Sequence, residues 1–118
     1  ALAPLQMNDF NDSKSDIKVA ECGRYKVPLI ASDVGCYNET IINGETGYLI
    51  DPEAPRTEWV KTLTKVIKDK KLRTKMGENL HSITQELFDL NKVAKNRMVL
   101  YDHCFDKIGR IECQTSGT

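Results

Sequence analysis

Val27-Pro28-Leu29-Ile30-Ala31 is a run of five apolar residues with polar sequence on either side. A strand wetted on one face alternates apolar and polar residues, so a run this continuous is covered on both faces, as an inner strand of a parallel sheet is. Parallel strands need a crossover between them, usually a helix. The sequence supplies one on each side of the run. Ala1–Leu5 reads as a short buried strand, with Pro4 tolerable only near a strand end or an edge. Thr46-Gly47-Tyr48-Leu49-Ile50 reads as a third strand, ended by Asp51-Pro52. Between the first two lies the polar tract Gln6–Asp12, whose Met7 and Phe10 are expected to fold back over the core. A helix follows from about Lys14 and should stop at Gly23, a good C-cap because glycine is free to take positive φ. Between the second and third strands, Asp33–Cys36 is a turn and Tyr37–Asn43 a short helix closed by Gly44. The expected fold class is α/β, a three-stranded parallel sheet flanked by helices with its ligand edge at the strands' carboxyl ends.

After Pro55 the pattern becomes purely helical. Trp59, Leu63, Val66 and Ile67 make one apolar stripe, with Trp59 as a core anchor; Leu72, Met76, Leu80, Ile83 and Leu87 make a second. A last helix carries Leu90, Val93, Arg97, Leu100, Tyr101, Cys104, Phe105 and Ile108 on one side, with Arg97 a snorkelling or ion-paired structural residue. Residues 1–111 are expected to form the domain, and Glu112–Thr118 a polar, frayed tail.

A chain of 118 residues is one domain or part of a larger one. It starts at Ala1 directly in strand-like sequence, which suggests that it is cut from something longer. Seventeen basic and seventeen acidic side chains cancel. No global field therefore recruits nucleic acid or an anionic membrane, and any phosphate site is local. Cys22, Cys36, Cys104 and Cys113 contain no Cys-x-x-Cys pair and no adjoining histidine cluster, which argues against zinc and for reduced thiols in the cytoplasm. No apolar run has the length of a membrane span. His81 and His103 have no nucleophile or ligand set nearby.

The candidate chemistry lies at the start of the first helix. Ser13 followed three residues later by Asp16 resembles a capping box, which would gather free amides around Ser13, Lys14 and Ser15. Helix-start amides, the positive end of the dipole and a lysine together suit a phosphate. In such a helix Lys14, Ile17, Lys18 and Glu21 share one face, and Glu21 stands roughly 10 Å beyond Lys14. A cation could meet a diphosphate at one end while a carboxylate accepts hydrogen bonds from sugar hydroxyls at the other. Glu21 paired with Lys18 or Arg24, and Lys14 simply solvated, are the plainer readings of the same residues.

Taken in order, Ala3-Pro4-Leu5, Phe10-Asn11, Lys14-Ser15, Ile17-Lys18 and Glu21, then Val27–Gly35, Glu39, Ile41, Gly44–Pro52 and Trp59, resemble the C-terminal domain of group 1 (family 4) glycosyltransferases. The likeness runs from about Ala1 to Tyr101. It implies the C-terminal half of a GT-B donor-binding domain, a Rossmann-like sheet whose first strands, with the whole acceptor domain, lie outside this chain. The family transfers sugars from nucleotide-sugar donors with retention of configuration, without a metal or further cofactor. The acceptor implied is a glycan or lipid-linked molecule held by the absent N-terminal domain. Polysaccharide biosynthesis and peripheral membrane association of the full-length protein come with that expectation. So does inactivity of this chain alone.

By the same resemblance, donor binding falls on Ser13, Lys14, Ser15, Glu21, Gly35 and Glu39, with no catalytic residue assigned. Glu21 matches the second of two family glutamates and would bind ribose. Ser13 stands where the first, a sugar ligand, is usual. Gly35 and Glu39 match a Gly-Gly-x-x-Glu loop in which Cys36 replaces the second glycine, halving the close backbone approach that two glycines allow. Glu39 fits donor binding and loop bracing equally, and Tyr37 fits ligand contact and packing. The alternative, supported by Ser13, is an α/β interaction module that kept the fold and lost the chemistry. In either case Ala1–Leu5 would be the fourth strand of a 3-2-1-4-5-6 sheet, with an uncovered apolar edge through which the chain self-associates or recruits the missing strands.

Overall fold

The computed structural model describes residues 1–115, with side chains described for residues 1–108. The chain divides into two compact units, Ala1–Leu87 and Phe88–Thr118. In the first, β1 (Leu2–Ala3), β2 (Leu29–Ser32) and β3 (Gly47–Ile50) form a parallel sheet in the order β1-β2-β3, with Leu2 opposite Ile30 and Leu29 opposite Gly47. The α/β sheet expected from sequence is therefore present. Leu29, Ile30 and Ala31 are buried, as the continuity of the apolar run requires, and so is the polar Ser32 that ends β2; Val27 is exposed and precedes the strand.

Alternation along β2 divides the core. Leu29 and Ala31 pack with Val19, Cys22, Leu80 and Ile41 on one face. Ile30 packs with Ile50 and Val66, and with Trp59 and Leu63 partly buried, on the other. The helices supplying these residues are α2 (Ile17–Arg24), α3 (Cys36–Thr40), α4 (Arg56–Lys68) and α5 (Lys70–Leu87), while a one-turn helix α1 (Asp9–Asp12) precedes them. Both stripes anticipated on α4 and α5 are inward at their centres. Ile67 and Leu87 are exposed; Ile67 stands roughly 100° round the helix from Val66, the residue of that last turn that is buried.

Gly23 does not cap α2. It lies inside the helix, buried, and a Cβ there would collide with the Thr84 side chain on α5. The Nδ1 of His81 lies 2.9 Å from the Gly23 carbonyl, so the ring carries its proton on that nitrogen and donates. His81, without chemistry, is thus a packing link between helices. The true cap is one turn later. Lys26 takes φ 55° and its amide donates to the Gly23 carbonyl at 3.1 Å, while the Val27 amide donates to the Cys22 carbonyl at 2.9 Å. This is a Schellman closure with lysine in the place glycine usually holds.

The connection from α4 to α5 is a single residue, Asp69, and side chains cap both helix ends. Asp69 Oδ1 accepts the Leu72 amide at 2.9 Å. Arg73 Nη1 donates to the Val66 and Ile67 carbonyls at 3.1 and 2.8 Å, satisfying two carbonyls at the end of α4.

In the second unit, Asp89 Oδ1 accepts the Asn91 amide at 2.8 Å and starts α6 (Leu90–Thr115). The helix continues through the stretch from Glu112 expected to fray, and residues 116–118 lie outside the described residues. Of the stripe anticipated on α6, Val93 alone is half-buried; Leu100, Tyr101, Phe105 and Ile108 are exposed, and so is Arg97. The arginine therefore sits on no buried face.

Lys26→Gly is expected to stabilise the chain by about 1 kcal/mol, since the left-handed conformation is costly for a residue with a Cβ. Urea unfolding checks it; a midpoint that does not rise removes this account of the α2 terminus.

Candidate functional site

Because the sheet is parallel, the loops leaving β1, β2 and β3 meet at one edge. Ser32 at the end of β2 is buried, and its hydroxyl accepts the Leu5 amide at 2.8 Å, drawing the chain after β1 across the end of β2. From there Asn8 Oδ1 accepts the Asn11 amide at 2.8 Å and starts α1. This short helix went unread in the sequence, although Asn8 followed by Asp9 is an N-cap signal. Met7 and Phe10 do not return to the core. Phe10 is 76 % exposed, and its ring carries the Lys14 ammonium 5.1 Å from its centre.

The presence of α1 shifts the helix start. Ser13 is the C-cap of α1, its amide and hydroxyl both donating to the Asp9 carbonyl, at 3.2 and 2.8 Å. The Lys14 amide donates to the Asn11 carbonyl at 3.3 Å. Neither amide is free, and there is no capping box between Ser13 and Asp16. α2 begins at Ile17 with Asp16 at its N-cap position, where the Asp16 side chain makes no cap hydrogen bond. Among the described residues, the amides of Ser15, Asp16, Ile17 and Lys18 have no protein acceptor. The free amides expected at residues 13–15 are therefore found at residues 15–18, and of the three expected positions Ser15 alone keeps its own.

Lys14 lies in the loop rather than on α2, so the shared face reduces to Ile17, Lys18 and Glu21, all exposed. Lys18 and Glu21 line a cavity of about 470 Å3 with Cys22, Arg24, Tyr25 and Val27. This places Glu21 beside the outer flank of α2, one turn behind the free amides.

Gly35 brings the second loop to the first. It is the N-cap of α3 at φ 51°, ψ −126°, a conformation closed to residues with a Cβ, and a Cβ there would lie 2.7 Å from the Asp12 carbonyl oxygen. The start of α3 thus touches the end of α1 backbone to backbone. Cys36 follows, half-buried. Its thiol is pushed above the ordinary range by burial first and then by the Asp16 carboxylate, with Glu39 adding to it. Asp16, Cys36 and Glu39 are therefore neighbours in the field they exert. Glu39 itself is exposed. Tyr37 is buried in the core with Val19 and Leu80, and burial raises its phenol; the residue packs. The loop at residues 13–16 and the segment 35–39 are thus brought together, while Glu21 stands apart along α2.

Gly35→Ala is expected to lose about 1–3 kcal/mol of stability through backbone strain alone, read as a lower urea midpoint. A second expectation concerns pH. The folded chain holds the Cys36 proton more tightly than the unfolded chain does, so this contribution to stability is present below the ordinary thiol range and is lost as pH rises through the raised folded value. Alkylation of Cys36 followed against pH should show a midpoint above that of cysteine in an unstructured peptide, and an equal midpoint would contradict the burial.

The chain resembles known proteins over this region. No curated protein matches it. Among solved structures, sucrose-phosphate synthase from Thermosynechococcus elongatus superposes with a TM-score of 0.72 at 26% identity, covering 77% of this chain and 23% of that one. The C-terminal domain of a glycosyl transferase group 1 family protein (LpcC) from Francisella tularensis gives 0.61 at 24% identity, over 74% of this chain and 42% of its own. Alr3699/HepE from Anabaena, solved in complex with UDP and glucose, gives 0.60 at 17% identity, over 71% and 24%. These last two likenesses are of fold. The chain spans less than half the length of each of these structures. The family model of glycosyl transferases group 1 matches residues 17–82, more than half of the chain and the whole run from α2 through most of α5. The chain belongs to the group 1 glycosyltransferases.

Proposed function

We propose that this chain supplies part of the donor site of an enzyme that transfers a glycosyl group, with retention and without a metal, from a nucleoside diphosphate sugar to a glycan or lipid-linked acceptor. The observation that carries the reading is the cluster of unspent amides at residues 15–18, opening an eight-residue helix at the sheet's carboxyl edge, with Lys14 in the loop that precedes it. The complex of Alr3699/HepE with UDP and glucose, a protein of the same fold, supports a nucleotide as the ligand class.

In the reaction the bond between the anomeric carbon and the diphosphate oxygen breaks, the acceptor hydroxyl oxygen bonds to that carbon, and the hydroxyl proton goes to the departing diphosphate. Charge develops on the departing diphosphate. The amides of Ser15 and its successors and the Lys14 ammonium would hold that charge. Glu21 would accept hydrogen bonds from the ribose hydroxyls. Gly35 would let the α3 loop approach the ligand, with Glu39 at its rim. The acceptor would bind on a domain outside this chain, and the chain by itself would not turn over.

One observation favours a non-catalytic reading. Ser13 has its amide and hydroxyl engaged with Asp9, so it acts as a helix terminus and offers no charge to a transferred sugar. A protein that held the fold without the chemistry would look like this at Ser13.

Isothermal titration with UDP, on a protein extended to the complete donor domain, separates the two. Binding supports the enzyme, and none would favour the interaction module. Glu21→Ala should weaken UDP by about 1.5–3 kcal/mol, the worth of hydrogen bonds to a charged acceptor. Lys14→Ala should weaken UDP far more than uridine. Equal losses for the two ligands would take Lys14 away from the phosphates.

A further inference from the structure

Two aromatic side chains stand in the segments that leave β1 and β2 at the sheet's carboxyl edge, and the core uses one of them. Tyr37 is buried; Phe10, on α1, is 76% exposed. The turn that carries Phe10 is nonetheless held firmly. Asn11 is bound at both its amide and its side chain, the amide donating to Asn8 Oδ1 and Nδ2 to the Gln6 carbonyl, each at 2.8 Å. Ser13 Oγ donates to the Asp9 carbonyl at 2.8 Å, and the Asp12 backbone meets Gly35. An apolar ring on a fixed turn, contributing little to the core, can receive a ligand with little further ordering.

The Lys14 ammonium lies over that ring, 5.1 Å from its centre. An exposed cation–π contact is weak, whereas a hydrogen bond from lysine to phosphate is charge-assisted at both ends. A diphosphate on the free amide of Ser15, the next residue in the chain, would therefore draw the ammonium away and leave the ring face open.

We propose that Phe10 is the platform for the transferred sugar, a hexopyranose that stacks its C–H face on the ring as Lys14 turns to the diphosphate. The inference rests on the proposed donor site and names what holds its sugar end. With the ribose toward Glu21, along α2, the hexose leaves the diphosphate in the other direction, toward Lys14 and Phe10. The negative face of the ring attracts the weakly positive C–H groups of a sugar for the same reason that it attracts an ammonium. A pyranose with equatorial hydroxyls, such as glucose, offers such a C–H face.

Titration of the protein extended to the complete donor domain, with UDP and with UDP-glucose, tests it. Phe10→Leu keeps an apolar side chain and removes the π face. It should weaken UDP-glucose by about three- to tenfold and leave UDP unchanged or slightly tighter, since Lys14 is no longer shared with the ring. Phe10→Trp should keep the affinity for UDP-glucose. In proton NMR the glucose ring protons of bound UDP-glucose should move upfield in the unaltered protein and not in Phe10→Leu, a signature that a role in holding α1 would not produce. If Phe10→Leu binds UDP-glucose as the unaltered protein does, or loses UDP and UDP-glucose equally, this proposal is overturned and the donor site stands. If the unaltered protein binds no UDP, both fall.

Discussion

The seam between α2 and α5 sets the position of nearly everything that matters in the Ala1–Leu87 unit. Thr84 occupies the space a side chain at Gly23 would need, and its hydroxyl is satisfied by the Leu80 and His81 carbonyls at 2.9 and 3.0 Å, so the close approach leaves no buried polar atom orphaned. His81 adds its bond to the Gly23 carbonyl one turn away. With one flank held this way, Val19 and Cys22 are pressed onto Leu29 and Ala31 of β2. The direction of α2, and with it the direction of its free amides, follows from this packing rather than from the polar loop that precedes it.

How much of this was legible in the sequence depends on what kind of physical signal each part leaves. β2 was, because burial on both faces favours a continuous apolar run, and this one is of strand length with polar sequence on either side. α4 and α5 were, because two inward stripes at helical spacing have few other readings. Gly23 was misread. A glycine near the end of a helix has the same appearance whether it supplies positive φ or makes room for a neighbour, and the neighbour, Thr84, lies 61 residues away in sequence. The left-handed residue proved to be Lys26, which advertises nothing. The outward sides of Ile67 and Phe10 were equally hidden, since apolar character marks a residue that can be buried and not one that is.

The site was legible in its residues and misplaced in its geometry. Ser13 with Asp16 and Asn8 with Asn11 are competing helix starts within nine residues, and the chain uses the earlier. Once α1 forms, its carbonyls at Asp9 and Asn11 take the amides of Ser13 and Lys14, so the donors left over are those further along. Gly35 then matters for a reason that its match to a family loop does not supply. Its positive φ allows backbone contact with Asp12, which closes α1 against α3. Cys36, in the place of a second glycine, buries a neutral thiol in that same junction.

The α4–α5 turn shows how the stability of this unit and a surface charge come from one choice of residues. A one-residue connection between two helices leaves carbonyls at the end of α4 and amides at the start of α5 facing each other's termini. Asp69 answers the Leu72 and Arg73 amides, and the Arg73 side chain the Val66 and Ile67 carbonyls. The lysines around it are then not required for capping. Lys68, in the last turn of α4, suits that helix's dipole, but Lys70 and Lys71 stand in the first turn of α5, where positive charge opposes the dipole. A sequence shaped by helix stability alone would carry acids at these two positions.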